Sequence, residues 1–570
     1  LIVNSNEQCV GHSATGYSKT SNKVGIAIVT SGPGITNMIT PLLDATNDST
    51  PLIVFSGQVP LSAQGTNAFQ EAPAVDLTKH VTKWSYQITD INEMPYVIDE
   101  AFNIATEGKC GAVHIDIPKC ISYQKADSNE KNFYIERKKI MYNIKKSIGY
   151  GYDYDYNNEL KKRNHYKNYI TSYDDINYDY KKIGDLINNS KKPLFYIGQG
   201  CKKSSELLTR MALFANIPVT TTIHGNGIFD ETNELSLRWC GMHGYAPANY
   251  ALQEADLIIA IGSRFDDRTT GSLDKYAPEA VKASKKGKGG IIHCNINPHE
   301  LDFVVKSDYN FCMDSGEFIK KILPFIRVRD RYEWKIYLNN LKEQFPFKMK
   351  QSKSKLHIEH VLSKLNKKTQ DKDVIFTTGV GNHQMQTYQF IESQYPGKII
   401  SSGSLGVMGA GLPYAIGAKL ANPDKMVICV DGDGSFNMTL NDLKTIAEYN
   451  IPVKIAIMNN NAQMMVTIWE KLFFDDRYTA TISEKNPNYV KLADSFGIKS
   501  ICCSDPKYLN EQLDYFLDFE GPILMEFKIE RDICLPLVKP GCALDDMILP
   551  GEEDFEDIKI EGDGGGLVPS

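Results

Sequence analysis

Cysteine is present but never in a pattern that would commit the chain to metal or disulfide chemistry. The 12 cysteines are scattered singly along 570 residues, apart from the pair Cys502-Cys503, and no CxxC spacing occurs. That excludes a zinc ribbon or a disulfide framework and points to a reducing compartment. Long hydrophobic runs are also missing: no stretch approaches the ~20 apolar residues needed to cross a bilayer, so a soluble chain is expected. No excess of positive charge exists either. Lys plus Arg number 63 against 70 Asp plus Glu, a net charge of −7, which offers no overall attraction for nucleic acid or an anionic membrane. A small-molecule partner is therefore expected. The first residues, Leu1-Ile2-Val3, lack a starting Met, a basic region and a cleavage pattern, so no targeting signal can be read and the chain is expected to lack its true start.

What is present is globular. With 42% hydrophobic and 23% charged residues, neither a disordered nor a fibrous chain fits. At ~100–200 residues per domain the length predicts three or four domains. Apolar runs at Val24 to Thr30, Pro51 to Ser56 and Ala112 to Ile117 suit buried parallel strands. Helix-length segments such as Ile35 to Asn47 and Met94 to Thr106 lie between them. The same alternation restarts at Leu194 to Ile197, Pro218 to Thr222, Leu257 to Ile261 and Gly290 to Ile296, and again at Val374 to Thr378, Val427 to Val430, Val453 to Met458 and Ile523 to Phe527. The reading is an α/β protein of three doubly wound domains with mainly parallel sheets. Boundaries are expected at 1–125, 183–330 and 355–550, with a tail over 551–570.

Residues 126–182 differ in kind. From Tyr134 to Tyr180, 11 of the chain's 30 tyrosines fall among Lys, Asn and Asp, without a steady apolar period. Composition reads this as an interdomain insertion. An aromatic, basic nucleic-acid surface is the sharper alternative, but interleaved acids cancel much of its charge.

The densest chemical signal runs from Val427 to Asn460. An apolar strand ends in Asp431-Gly432-Asp433-Gly434-Ser435; a second strand then ends in Met458-Asn459-Asn460. Ligands bind at strand ends in open α/β sheets. Asp433 on a glycine turn can offer a carboxylate to a hard cation while backbone N–H groups face phosphate oxygens, and Asn460 adds an amide oxygen. A lone Asp-Gly pair is usually only a turn. Glycine-Asp-Gly-Ser followed by a double Asn at this spacing is far more specific, and describes a Mg²⁺ diphosphate clamp.

This pairing resembles the thiamine diphosphate signature, and the chain resembles the acetohydroxyacid synthase (acetolactate synthase) family over nearly its whole length except the insertion. The resemblance implies that Asp433, Asn460 and the backbone carbonyl of Ala462 hold Mg²⁺. It places Val380, Gly381, Asn382, His383, Gly432, Gly434 and Ser435 around the diphosphate of thiamine diphosphate, with Met465 nearby. Glu7, which alone would read as a surface acid, stands where the family has the glutamate that hydrogen-bonds the aminopyrimidine N1′ and so promotes proton removal from the thiazolium. Met408, in the glycine-rich segment Gly403 to Gly411, stands at the position of the wedge that bends the cofactor; without the resemblance it would read as core.

The family's substrate pocket is matched by Gln70, Lys119, Arg268, Trp469 and Phe473. A small keto acid needs a fixed cation and a size-selecting wall, roles that fit Arg268 and Trp469. The usual Gly before Met465 is Met464 here, which is expected to narrow the pocket. The middle domain resembles an FAD-binding domain, through Gly198, Gly200, Thr222, Met242, His243, Gly262, Arg264, Asp266 and Asp314, and the resemblance also places Lys109 of the first domain and Asn295 at flavin-contacting positions. Lys109 replaces an Arg, and Asn295 and Asn297 replace acids.

The implied activity joins two pyruvates to 2-acetolactate and CO₂, or pyruvate and 2-oxobutanoate to 2-aceto-2-hydroxybutanoate, the first step toward valine, leucine and isoleucine. The resemblance further implies a homodimer or tetramer with active sites between chains, a regulatory subunit, and a plastid or mitochondrial location in a eukaryote or a cytoplasmic one in a bacterium. It also implies a first strand and glycine-containing loop ahead of Glu7 that this chain does not contain, so an incomplete N-terminal domain is expected. Rival readings are a pyruvate oxidase or a 2-keto acid decarboxylase, the latter's double His being absent, and a non-catalytic relative.

Overall fold

A computed structural model describes residues 1–125, 178–350 and 352–550; the Tyr-rich insertion lies almost wholly outside them, as does the tail. The first sheet holds β1 (Gly25–Val29), β2 (Leu52–Gln58), β3 (Trp84–Gln87) and β4 (Ala112–Pro118), in the order β1-β2-β4-β3. The second is built from β5 (Pro193–Ile197), β6 (Val219–Thr221), β7 (Ser236–Trp239), β8 (Leu257–Ile261), β9 (Gly290–Asn295) and β10 (Tyr309–Cys312), ordered β10-β9-β8-β5-β6-β7. The third contains β11 (Val374–Thr378), β12 (Ile399–Ile400), β13 (Met426–Gly432), β14 (Val453–Asn459), β15 (Lys499–Cys503) and β16 (Ile523–Lys528), ordered β12-β11-β13-β14-β16-β15. Every pairing in these three sheets is parallel. The expected α/β class, three doubly wound units with parallel sheets, is what the chain adopts.

Burial explains the assignment. β8, β11 and β14 are buried at every position, on both faces, as parallel strands covered by helices must be. Helix Tyr180–Asn189 begins inside the stretch read as insertion, its first turn capped by Asp179, whose side chain accepts from the Lys182 N–H. No helix among the described residues is long and apolar enough to cross a membrane.

The first and third domains meet along helices Glu7–Ser21 and Gly411–Ala421, where glycines let the backbones touch. A Cβ on Gly16 would sit 2.4 Å from the Tyr414 carbonyl oxygen, and one on Gly417 only 1.8 Å from that of Ser13. Only glycine fits at such crossings.

Candidate active site

Parallel register sets the geometry. Gly432 pairs with Met458, so Asp433, one residue past β13, lies beside the end of β14. Asn486, in the loop after the helix Met464–Phe473, closes the group: its amide nitrogen donates to Asp433 Oδ2 (2.6 Å), Asn461 Oδ1 (2.9 Å) and Asn459 Oδ1 (3.1 Å). Asn460 Oδ1 accepts from the Ala462 N–H at 3.1 Å, and its carbonyl accepts from Arg531 Nε at 3.0 Å. The result is a knot of hard oxygen atoms at two adjacent strand ends.

Asp433 is 2% exposed. Burial raises its carboxyl above the ordinary value, and the Asn486 hydrogen bond only partly offsets that. A buried carboxylate without a countercharge is costly, and a divalent cation is the simplest completion. Asp431, also buried, leaves Oδ2 without a partner while Oδ1 accepts from the Gly432 N–H. His383 Nε2 lies 3.2 Å from that same Oδ1.

Asn382 and His383 open the helix Asn382–Phe390 directly after β11, with Val380 and Gly381 in the turn before it. Gly381 has φ +148, and a Cβ there would meet only the His383 ring. The Asn382 amide nitrogen donates to Gln386 Oε1 (3.0 Å) and to the Asp532 carbonyl (3.1 Å), leaving its buried Oδ1 unpartnered. Ser435 Oγ accepts from the Gly409 N–H at 2.9 Å, tying the Asp-Gly-Ser turn to the loop that carries half-buried Met408. A helix N-terminus flanked by glycine turns is an anion site by construction.

Glu7 is half-buried in the first turn of its helix and accepts from the Asn37 side chain at 3.0 Å. It shares no hydrogen bond with the Asp433 group. Gln70 is half-buried with φ +63, its Cβ against Gly32. Lys119 is exposed just past β4. Arg268 is exposed too, 3.7 Å from Asp267 and donating to Met242 Sδ. Trp469 and Phe473, one turn apart, pack ring to ring at 5.2 Å.

Met464 is buried with Ala462, Ile468 and Ile533 in a satellite core against which Phe473 also packs. Helix Met464–Phe473 starts at this residue, and the helical period sends 464 and 468 inward while 465 and 469 remain half-buried. The sequence offered no signal for Asn486, whose role arises only from tertiary proximity.

The central domain treats its glycines differently. A Cβ on Gly198 would lie 2.1 Å from the Gly262 carbonyl oxygen, and one on Gly200 would lie 2.7 Å from the Gly262 Cα. The three glycines pack on one another. Lys109 pairs with Glu300 at 2.9 Å. Thr222 caps a turn, Asp314 caps helix Ser315–Ile322, and the Asn295 amide donates to the Ser263 carbonyl. Arg264 bridges to the Asn47 carbonyl and Ser404 Oγ. Asp266 Oδ1 and Ser263 Oγ stay buried without hydrogen-bond partners. Buried His243 has its imidazole pushed down to about 4 by desolvation.

Family models for thiamine pyrophosphate enzymes match all three domains: the N-terminal TPP binding domain over residues 1–79, the central domain over 180–322, and the C-terminal TPP binding domain over 379–527. The chain is 40% identical over 560 residues to the mitochondrial acetolactate synthase catalytic subunit of Saccharomyces cerevisiae, covering 96% of this chain and 78% of that protein. It is 40% identical over 562 residues to the mitochondrial acetolactate synthase of Schizosaccharomyces pombe (96% and 80%). It is also 35% identical over 565 residues to a probable acetolactate synthase large subunit of Methanococcus aeolicus (96% and 88%).

Proposed function

The chain belongs to the acetolactate synthase catalytic-subunit family of thiamine pyrophosphate enzymes, and from that premise we propose that it condenses two pyruvates to 2-acetolactate and CO₂, or pyruvate with 2-oxobutanoate to 2-aceto-2-hydroxybutanoate. The observation that carries the reading is the hydrogen-bonded group Asp433, Asn459, Asn461 and Asn486 at adjacent strand ends. The oxygens of Asp433, Asn459 and Asn461 gathered on the Asn486 amide, with the Asp433 carboxyl buried, fit a hard cation such as Mg²⁺.

In this reading Asp433, Asn460 and the Ala462 carbonyl hold the cation. The turn Val380-Gly381, the helix start at Asn382 and His383, and Gly432, Gly434 and Ser435 hold the diphosphate. Thiamine diphosphate, when bound, supplies the electron sink that lets a 2-keto acid lose CO₂. Glu7 would hold a proton at the aminopyrimidine, and Met408 would pack against the cofactor. Arg268 and Lys119 orient the keto acid carboxylate, Gln70 lines the approach of the acceptor, and Trp469 with Phe473 bounds its side chain.

The central domain fits FAD less well. Lys109 of the first domain, Thr222, Asn295 and Asp314 are occupied by intrachain partners and Met242 Sδ accepts from Arg268, while Asp266, Ser263 and His243 remain as contacts for a flavin. FAD belongs to the reading as a family cofactor, and no step runs through it. Two chains sharing each site, a regulatory subunit and a mitochondrial or plastid location complete the proposal.

The test is product analysis after incubating the chain with pyruvate, thiamine diphosphate, Mg²⁺ and FAD. Acetolactate supports the reading. Acetaldehyde or acetate would replace it with a decarboxylase or oxidase, and no turnover would favour a non-catalytic relative.

A further inference from the structure

The loop from Ser401 to Gly409 is held from the first domain at its first four residues. Lys19 Nζ donates to the Ser401 carbonyl (2.9 Å), and Ser402 Oγ donates to Asp44 Oδ1 (2.5 Å). The N–H groups of Gly403 and Ser404 donate to Asp48 at 3.3 and 2.9 Å. Ser402 Oγ in turn accepts from the Val407 N–H at 2.9 Å. On the far side of Met408, the Gly409 N–H reaches Ser435 Oγ. Met408 is thus the unclamped residue between two clamped neighbours.

Asp44 and Asp48 are both fully buried, one helical turn apart. Asp48 is paired with Lys19 at 2.8 Å and lies 3.0 Å from His224 of the central domain. Asp44 spends its other oxygen on Tyr414, a contact that does not touch the loop. Burying two carboxylates at a domain junction costs free energy that a hydrophobic contact would not. What they provide is direction, since a carboxylate aligns several donors at once.

We propose that Ser402, aligned by Asp44, and Asp48 are positioning residues that set the Met408 loop at the height the bound cofactor requires. The first domain then acts on the cofactor of its own chain's third domain, besides supplying Glu7. The proposal rests on the thiamine diphosphate reading above.

The test compares Ser402→Ala with Tyr414→Phe. Each removes one hydroxyl from Asp44, but only the first touches the loop. Hydrogen-exchange mass spectrometry of the peptide spanning 401–411 and titration of the full chain with thiamine diphosphate and Mg²⁺ are read together. Ser402→Ala is expected to speed exchange in the peptide, and weaken cofactor binding, by about tenfold. Tyr414→Phe is expected to leave both within about twofold while lowering the melting temperature. Equal shifts in both variants, or no shift in Ser402→Ala, would overturn the proposal. Should Ser402→Ala fail to fold, Asp48→Asn replaces it under the same criteria. Wild-type product analysis tests the functional reading separately, so the two can fail independently.

Discussion

The third and central domains place glycines and polar residues at the same kind of location, the C-terminal ends of parallel strands, and use them in opposite ways. In the third domain Asp431 keeps a buried carboxylate oxygen without a hydrogen-bond partner, and burial raises the neighbouring Asp433 carboxyl. In the central domain Gly198, Gly200 and Gly262 close on one another and Thr222 and Asp314 cap local backbone, while Asp266 Oδ1, Ser263 Oγ and the His243 ring are among the buried groups left without partners. An open strand end with unsatisfied oxygen is prepared for a cation. A closed one is a packing solution in which a ligand must find the few groups left over.

The largest effect that sharpens this contrast is Asp433→Asn. It should cost acetolactate formation and Mg²⁺-dependent cofactor binding more than about 100-fold, roughly 3 kcal/mol, measured by isothermal titration and product assay. The acid dependence follows the same residue. Its carboxyl is raised by burial and must be ionised to hold Mg²⁺, so Mg²⁺ affinity should fall with acidification from above the usual carboxylate range. An affinity independent of pH from 7 to 4 would break the assignment.

Next comes Gly198→Ala. The added methyl meets the Gly262 carbonyl, and a destabilisation of about 3 kcal/mol is expected in denaturant unfolding. If the variant is as stable as the parent, the closed-glycine description fails. The central domain also has its own pH signature through His243. Its folded value, about 4, lies below the unfolded ~6.5, so the unfolded chain takes up the proton first. Stability should fall as pH drops through that window. Buried His114, pushed down to about 3, adds to the fall, so His243→Gln should flatten only part of it.

Asn486→Ala should weaken Mg²⁺ by about tenfold, as losing a residue that orients a ligand does. Smallest is Lys109→Ala. A half-exposed ion pair with Glu300 should be worth below about 1 kcal/mol. A large loss of FAD affinity in this variant would mean that Lys109 turns to the flavin instead.

Much of this was legible in the sequence, for a physical reason. Interior strands such as β8, β11, β13 and β14 are buried on both faces and read as continuous apolar runs. The strands that escaped notice, β3, β7, β10, β12 and β15, all lie at sheet edges. There a strand has one neighbour, is short, and includes polar residues such as Gln87, Arg238 and Lys499. The site divides in the same way. Asp433 and Asn460 were visible because each sits at the end of an interior strand. Asn486 was not, because a loop residue earns its place only by tertiary proximity.

The central claim is that Asp433 and its asparagines form a Mg²⁺ diphosphate clamp. Calorimetric titration of the full chain with thiamine diphosphate, with Mg²⁺ and after its removal by chelation, tests this most directly. Binding that needs Mg²⁺ and vanishes in Asp433→Asn is the predicted result; equal binding without Mg²⁺, or in the variant, would contradict it.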